Sequence, residues 1–212
     1  MQLIGMLDSP YVRRCAVSLQ LLGLPFEHRA VSVFRAYEQF RAINPVVKAP
    51  TLVCGDGTVL MDSTLILDYA ETLADPARSL MPRDAPGRLL TLRRIGLALA
   101  ACEKAVQLIY ERELRPPQKQ HEPWITRVQG QLASALRELE HEVDGALPAW
   151  QRRIDQAAVS IAVAWQFARV KLPDALPAQA YPRLRELGDW AEHRAEFRAA
   201  ACGEAPMSPP GG

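Results

Sequence analysis

A small α/β domain followed by an all-helical domain is the fold class this sequence predicts. Three observations lead there. Short apolar runs alternate with helix-period segments through the first third of the chain. From Gly87 onward the apolar residues recur at helical spacing only. Between the two patterns, Asp75 to Pro86 holds Pro76, Pro82 and Pro86 and reads as a linker. The expected domains are 1–74 and 88–201, joined by 75–87, with a Pro/Gly-rich tail over 202–212 that is expected to be disordered.

The elements follow in order. Gln2 to Leu7 is a short apolar run, read as a buried strand. Pro10 fits the first turn of a helix, where its missing amide costs nothing. That helix runs from about Tyr11 to Leu22, with Val12, Cys15, Leu19 and Leu22 at helical spacing; Gly23 and Pro25 stop it. Phe26 to Val33 alternates and reads as a second strand, parallel to the first through a right-handed crossover. Ala36 to Ile43 is a short helix ending at Asn44-Pro45. Ala49 to Val53, Gly55-Asp56-Gly57 and Thr58 to Met61 read as strand, tight turn and strand. A helix follows from Asp62-Ser63, with Leu65, Ile66, Tyr69, Ala70 and Leu73 expected on one apolar stripe. In the second domain the expected helices are Arg88 to Leu114, Glu122 to about Val143 with its end at Gly145 to Pro148, and a very apolar one after Asp155. A helix opened by Tyr181-Pro182 and a last short one holding Phe197 follow. An all-round apolar helix is a buried one, so the segment around Ala158, Ile161 and Trp165 is expected at the centre of that domain.

The stretch from Asn44 to Tyr69 carries the chemistry. Pro50 lacks an amide hydrogen and belongs at a strand start or edge; an X-Pro bond there is a candidate for the cis form. The backbone of Ala49, left unpaired before it, can hydrogen-bond an extended peptide as an added strand would. Asp62 or Ser63 can cap the following helix, whose free amides attract a carboxylate. The Asp62 carboxylate can also meet an ammonium group. A ligand with an amino acid end and a peptide backbone satisfies all three features.

These residues resemble a known family. N-P-x-x-K-x-P-x-L over Asn44 to Leu52, followed by D-S-x-x-I-x-x-Y over Asp62 to Tyr69, is similar to the second half of the thioredoxin-like domain of soluble glutathione transferases. Ser9-Pro10-Tyr11-Val12-Arg13-Arg14 resembles the S-P-[YF]-x-R-[KR] start of many bacterial members. The resemblance covers roughly Met1 to Ala201. It implies a thioredoxin-like βαβαββα domain with a mixed sheet and a cis-proline loop, then an all-α domain. It implies glutathione as co-substrate, a small hydrophobic electrophile or peroxide as second substrate, and a homodimer. One departure is visible: the buried helix of the family opens on a Ser/Thr-x-x-Asp capping box, whereas here Asp155 and Ala158 leave the reciprocal half absent.

By resemblance Ser9 is the activating hydroxyl; read from the residues alone, Ser-Pro is a helix cap. A free thiol titrates near about pH 8.5, so conjugation near neutrality needs a donor and a positive potential to stabilise the thiolate. Ser9 cannot form a mixed disulfide, which disfavours a glutaredoxin-like mechanism. The resemblance implies that Asp62 holds the γ-glutamyl ammonium, Ser63 its carboxylate and the Ala49 backbone the cysteinyl part. Lys48 is a candidate for the glycine carboxylate, with a solvated lysine as the alternative. Arg13 and Arg14 are expected as structural or surface charges, with reinforcement of the site potential as a further role for Arg13, and Arg35 is a weaker anion-binding candidate. Tyr11, Phe34, Tyr110 and Trp165 are candidates for the electrophile wall, each with an ordinary core role as the alternative; Cys15 is expected as a small core residue. Glu103 and Lys104 are charges in an apolar stretch that can face a partner chain.

Composition bounds the remaining classes. The 212 residues carry a formal net charge of +1, which gives no electrostatic case for nucleic acid or an anionic membrane. The longest apolar runs, such as Ala157 to Ala168, are too short to span a bilayer. Met1 leads straight into the first strand with no basic leader before it, and a cytoplasmic location is expected. The four cysteines lie far apart without a C-x-x-C, and the four histidines have no metal-ligand spacing, so no metal is expected. Two other functions fit the same resemblance: a glutathione-dependent isomerase or dehalogenase, and a non-catalytic binding protein like the stringent starvation proteins. The presence of Ser9, Lys48, Pro50, Asp62 and Ser63 weighs against the last.

Overall fold

The computed structural model describes residues 1–176 and 180–202. The expected tail falls almost wholly on 203–212, outside the described residues. The chain divides into two compact units, 1–81 together with 192 onward, and 82–191.

The first unit is built as β1 (Gln2–Ile4), α1 (Pro10–Leu21), β2 (Glu27–Arg29), α2 (Tyr37–Ile43), β3 (Thr51–Val53), β4 (Val59–Met61) and α3 (Ser63–Leu73). The four strands form one mixed sheet in the order β2-β1-β3-β4. β1 pairs parallel with β2, as a crossover helix requires, and antiparallel with β3; β3 and β4 form the hairpin with Thr51 opposite Met61. This is the thioredoxin-like arrangement. The strands are shorter than their apolar runs because pairing stops at the loops that feed the helices. Leu3 and Ile4 are both fully buried, so both faces of β1 are covered. Ile4 packs with Val31 and with Phe40 of α2. The alternation of β1 sends Leu3 to the other face, where α1 and α3 pack on each other.

The stripe expected along α3 splits in two. Ile66, Leu67 and Ala70 are buried, whereas Leu65, Tyr69 and Leu73, at spacing i, i+4, i+8, lie exposed on another face. Apolar composition alone could not separate the two rows.

The end of the chain also departs from expectation. The helical domain was expected to reach Ala201, but Glu192 onward gathers with the first unit. A short helix α8 (Ala195–Ala199) holds Phe197 fully buried there. Arg13 of α1 is the anchor: its guanidinium makes a bidentate pair with Glu192 at 2.7 Å for each nitrogen, donates to the Ala200 carbonyl at 2.8 Å and stacks over the Phe197 ring. The Gln20 amide donates to the Glu196 carbonyl beside it.

The second unit holds α4 (Ala85–Glu113), α5 (Glu122–Arg152), α6 (Gln156–Lys171) and α7 (Pro182–Glu192), the last residue of α7 being counted with the first unit. α4 packs on both α5 and α6, and α6 is buried along nearly its whole length. The Asp155 carboxylate caps α6 by accepting from the Ala158 amide at 2.8 Å. Glu140 performs the same service for α7 from a distance, its two oxygens accepting from the amides of Arg183 and Leu184. The sequence expectation ended α5 near Val143, before Pro148. The helix instead runs through Pro148 to Arg152. Proline removes one helical hydrogen bond. Burial of Leu147 and Trp150 on either side of it, with Arg94 stacked over the Trp150 ring, offsets that loss.

Candidate active site

Three loops of the first unit converge beside the β3–β4 hairpin. The loop after β1 carries Gly5 and Ser9. Gly5 has φ +139°, a region that L side chains rarely adopt, and a Cβ there would come within 2.6 Å of Val12 and 3.2 Å of Ala49. Glycine therefore lets this loop lie against Ala49. Its carbonyl is held by His28 at 2.8 Å. A carbonyl only accepts, so His28 Nε2 carries the hydrogen. Burial lowers the His28 pKa and keeps the ring neutral, against the opposing effect of that bond. His28 was one of the scattered histidines, and nothing in its spacing marked this role.

Ser9 precedes α1 with extended backbone, φ −76° and ψ 124°. Its hydroxyl accepts from the Val12 amide at 3.5 Å, a cap at the limit of hydrogen-bonding distance. The cap uses a lone pair and leaves the hydroxyl hydrogen available, so the cap and the donor role are compatible.

The second loop, 44–50, is fixed by Asn44. Its buried side chain accepts from the Val46 amide at 3.0 Å and donates to the Thr51 hydroxyl at 2.8 Å, and that hydroxyl donates to the Lys48 carbonyl at 2.7 Å. Val47 sits at φ +52°, uncommon for a β-branched residue. The Ala49–Pro50 peptide is cis. The backbone of Ala49 makes no hydrogen bond to another described residue. The Asn-Pro of the motif was visible in sequence; the internal bonding of its asparagine was not.

The third element is the start of α3. Asp62 has φ +73° and ψ 123°, an outlier for a residue with a side chain; such conformations cost about 1–3 kcal/mol and persist only where the surroundings impose them. One Asp62 oxygen accepts from the Thr64 amide at 2.9 Å and the other faces Lys48 Nζ at 3.4 Å. Burial pushes the Asp62 carboxyl up, but the Thr64 amide and Lys48 more than offset it and hold it below its ordinary value of 3.8. Ser63 is buried, and its hydroxyl accepts from Arg14 at 2.9 Å.

The remaining candidates divide. Arg13 and Arg14 are both buried, neither being a surface charge. Arg13 goes to the chain end and Arg14 to the start of α3. Arg35 is exposed in the turn that Ser32 organises. Cys15 is fully buried, donates to the Ser63 carbonyl, and is pushed up to about 12 by burial, so it stays a thiol. Tyr11 and Phe34 belong to the first unit, with Phe34 largely exposed; Tyr110 and Trp165 belong to the helical unit. Trp165 is core there, edge-on to Tyr181 and so close to Gly188 that a Cβ at 188 would fall 2.6 Å from its ring. Lys104 pairs with its neighbour Glu103 at 2.8 Å.

Comparison with known proteins places this arrangement. Residues 3–78 match the family model described as glutathione S-transferase, N-terminal domain. The chain is 30% identical over 172 residues to the uncharacterised GST-like protein YibF of Escherichia coli K12, covering 80% of this chain and 84% of that protein. A glutathione transferase family member from Pseudomonas fluorescens Pf-5, solved with bound glutathione, superposes with a TM-score of 0.81 at 30% identity over 94% of this chain and 97% of that one. A glutathione S-transferase from Methylobacterium radiotolerans, in complex with glutathione sulfonate, gives 0.83 at 26% identity over 94% and 93%. The motifs, the sheet order and these likenesses agree, and the chain belongs to the glutathione S-transferase family.

Proposed function

We propose that this chain binds glutathione and activates its thiol as a thiolate for attack on a small hydrophobic electrophile or peroxide. One observation carries the reading. The start of α3 offers an anionic carboxylate, the Ser63 hydroxyl and the Ser63 amide, and neither that amide nor the Ala49 backbone bonds to another described residue. That donor set fits an ammonium, a carboxylate and a peptide bond together. In this reading Asp62 takes the γ-glutamyl ammonium, Ser63 takes its carboxylate through hydroxyl and backbone amide, and the Ala49 backbone pairs with the cysteinyl residue. Lys48, already beside Asp62, supplies a cation for the glycine carboxylate.

Ser9 is the activating group. Its hydroxyl hydrogen is free to be donated, and the N-terminus of α1 adds positive potential. Tyr11 and Phe34, both of the first unit, are the residues proposed for the electrophile's wall. The exposed apolar row Leu65, Tyr69 and Leu73 on α3 supports a homodimer through this face. Among the described residues no helix is long and apolar enough to cross a membrane. The cysteines are free thiols, which suits a reducing cytoplasm.

Calorimetry with glutathione tests the binding half. Saturable binding at one site per chain is expected, and none at millimolar glutathione would overturn the reading in favour of a non-catalytic member of the fold. Ultraviolet titration of the bound thiol tests the rest. The thiol should ionise below its ordinary value of about 8.5 in the wild type and closer to it in Ser9→Ala, with affinity largely kept. An unchanged titration would remove Ser9 from catalysis.

A further inference from the structure

Arg14 was expected to be a structural or surface charge; it is buried, which excludes the surface reading and leaves the question of what its structural role serves. The side chain reaches from α1 to the start of α3 and is 2% exposed. One nitrogen, Nη1, donates both to the Ser63 hydroxyl at 2.9 Å and to the Thr64 hydroxyl at 3.3 Å. These are the first two residues of α3.

Two physical consequences follow. A guanidinium has no acceptor, so each hydroxyl meets it with a lone pair and must place its own hydrogen elsewhere. Ser63 and Thr64 are thereby fixed as donors at a helix start where the Ser63 amide also makes no bond to another described residue. The charge also has the wrong sign for helix stability. A cation beneath a helix N-terminus opposes the macrodipole, and an anion at that terminus reverses the balance. The Asp62 carboxylate relieves part of this, but its two oxygens are directed to the Thr64 amide and Lys48.

Resting on the glutathione reading above, we propose that Arg14 is a positioning residue for the α-carboxylate of the γ-glutamyl end. It acts through Ser63 and Thr64, turning both hydroxyl hydrogens toward that carboxylate and supplying buried positive potential behind them. Arg14 itself does not touch the ligand.

The test compares two ligands by calorimetry on the full chain. One is glutathione; the other is 4-aminobutyryl-cysteinyl-glycine, which keeps the amine and lacks the α-carboxylate. Arg14→Met should lose about tenfold in affinity for glutathione, about 1.4 kcal/mol, and little for the analogue. Combined with Ser63→Ala, it should add much less than it does alone, because the two act in series. Equal weakening toward both ligands would make Arg14 a plain tether between α1 and α3 and overturn the proposal, as would wild-type affinity. Should Arg14→Met not fold, Arg14→Lys keeps the charge but lacks the planar fork. It must narrow the preference for glutathione over the analogue, and an unchanged preference overturns the proposal. A wild-type chain that fails to bind glutathione is a separate result, which removes the underlying reading and the proposal with it.

Discussion

Asp62 and Asp155 stand in the same formal position, each the aspartate before a helix whose carboxylate accepts an amide of the first turn. Asp155 sits in relaxed extended backbone, φ −120° and ψ 178°, and caps Ala158 at 2.8 Å above a buried helix. Asp62 caps Thr64 at a similar 2.9 Å, but from φ +73°, with its second oxygen facing Lys48. A cap does not require positive φ. The difference teaches that the same residue in the same role serves stability at α6, whereas at α3 the carboxylate is held in a conformation that stability alone would not select. The neighbours Arg13 and Arg14 repeat the contrast within one turn of α1. Arg13 spends its whole guanidinium on the end of the chain, and Arg14 delivers its own beneath the start of α3.

The largest effect expected from breaking this division is at Arg13. Arg13→Leu strands the Glu192 carboxylate and the carbonyls of Ala200 and Phe197, which Arg13 holds at 2.8 and 3.3 Å, and should lower unfolding free energy by about 3 kcal/mol, the low end for a broken buried pair because Glu192 is partly exposed. Urea titration reads it; a change under 1 kcal/mol, by the scale of an ordinary hydrogen bond, would show the anchor to be minor. Asp62→Asn comes next. It keeps a cap and the tolerance for positive φ, so stability should hold, while glutathione affinity falls about tenfold with the lost charge. The wild-type affinity should persist as pH falls to the ordinary carboxyl value, because the Asp62 carboxyl titrates below it. The stabilisation linked to that depressed pKa has the same sign: present above the unfolded value, lost as pH drops through the folded one. Asp155→Ala should do the reverse of Asp62→Asn, costing about 1 kcal/mol of stability and leaving glutathione binding alone. Loss of binding in Asp155→Ala with stability intact would erase the contrast.

Much of this was legible in the sequence, and the failures share a cause. The order of strands and helices followed from period and punctuation, as did the caps at Asp62 and Asp155. The motif around Pro50 pointed to the candidate site residues because its pattern is carried by local spacing. What did not show were relations between distant segments. Neither the buried fate of Arg13 and Arg14 nor the return of the chain end to α1 has a local signature. His28 and Asn44 act through backbone groups, and such bonds have no residue-type code. Pro148 misled because a proline reads as a helix end unless the burial of the following turn is known. The α3 stripe misled because two apolar rows one residue apart merge into one when only period is counted.

The smallest predicted effect is the sharpest test of why Asp62 differs from Asp155. Glycine tolerates φ +73° without the side-chain penalty, and at a helix N-cap it is only a few tenths of a kcal/mol worse than a capping residue. Asp62→Gly should therefore leave stability unchanged or raise it by up to about 1 kcal/mol, since relief of strain at such a site is worth about 1–3 kcal/mol and the greater freedom of glycine in the unfolded chain removes part of it. Asp155→Gly relieves nothing, because φ −120° suits any residue, and should destabilise. Denaturant midpoints for the two variants side by side decide the matter. A gain or parity at 62 with a loss at 155, together with impaired glutathione binding only at 62, is the pattern of a residue kept in strain for its ligand. If Asp62→Gly instead destabilises as much as Asp155→Gly, the positive φ is no burden on the fold, and Asp62 is held there by the same capping that holds Asp155.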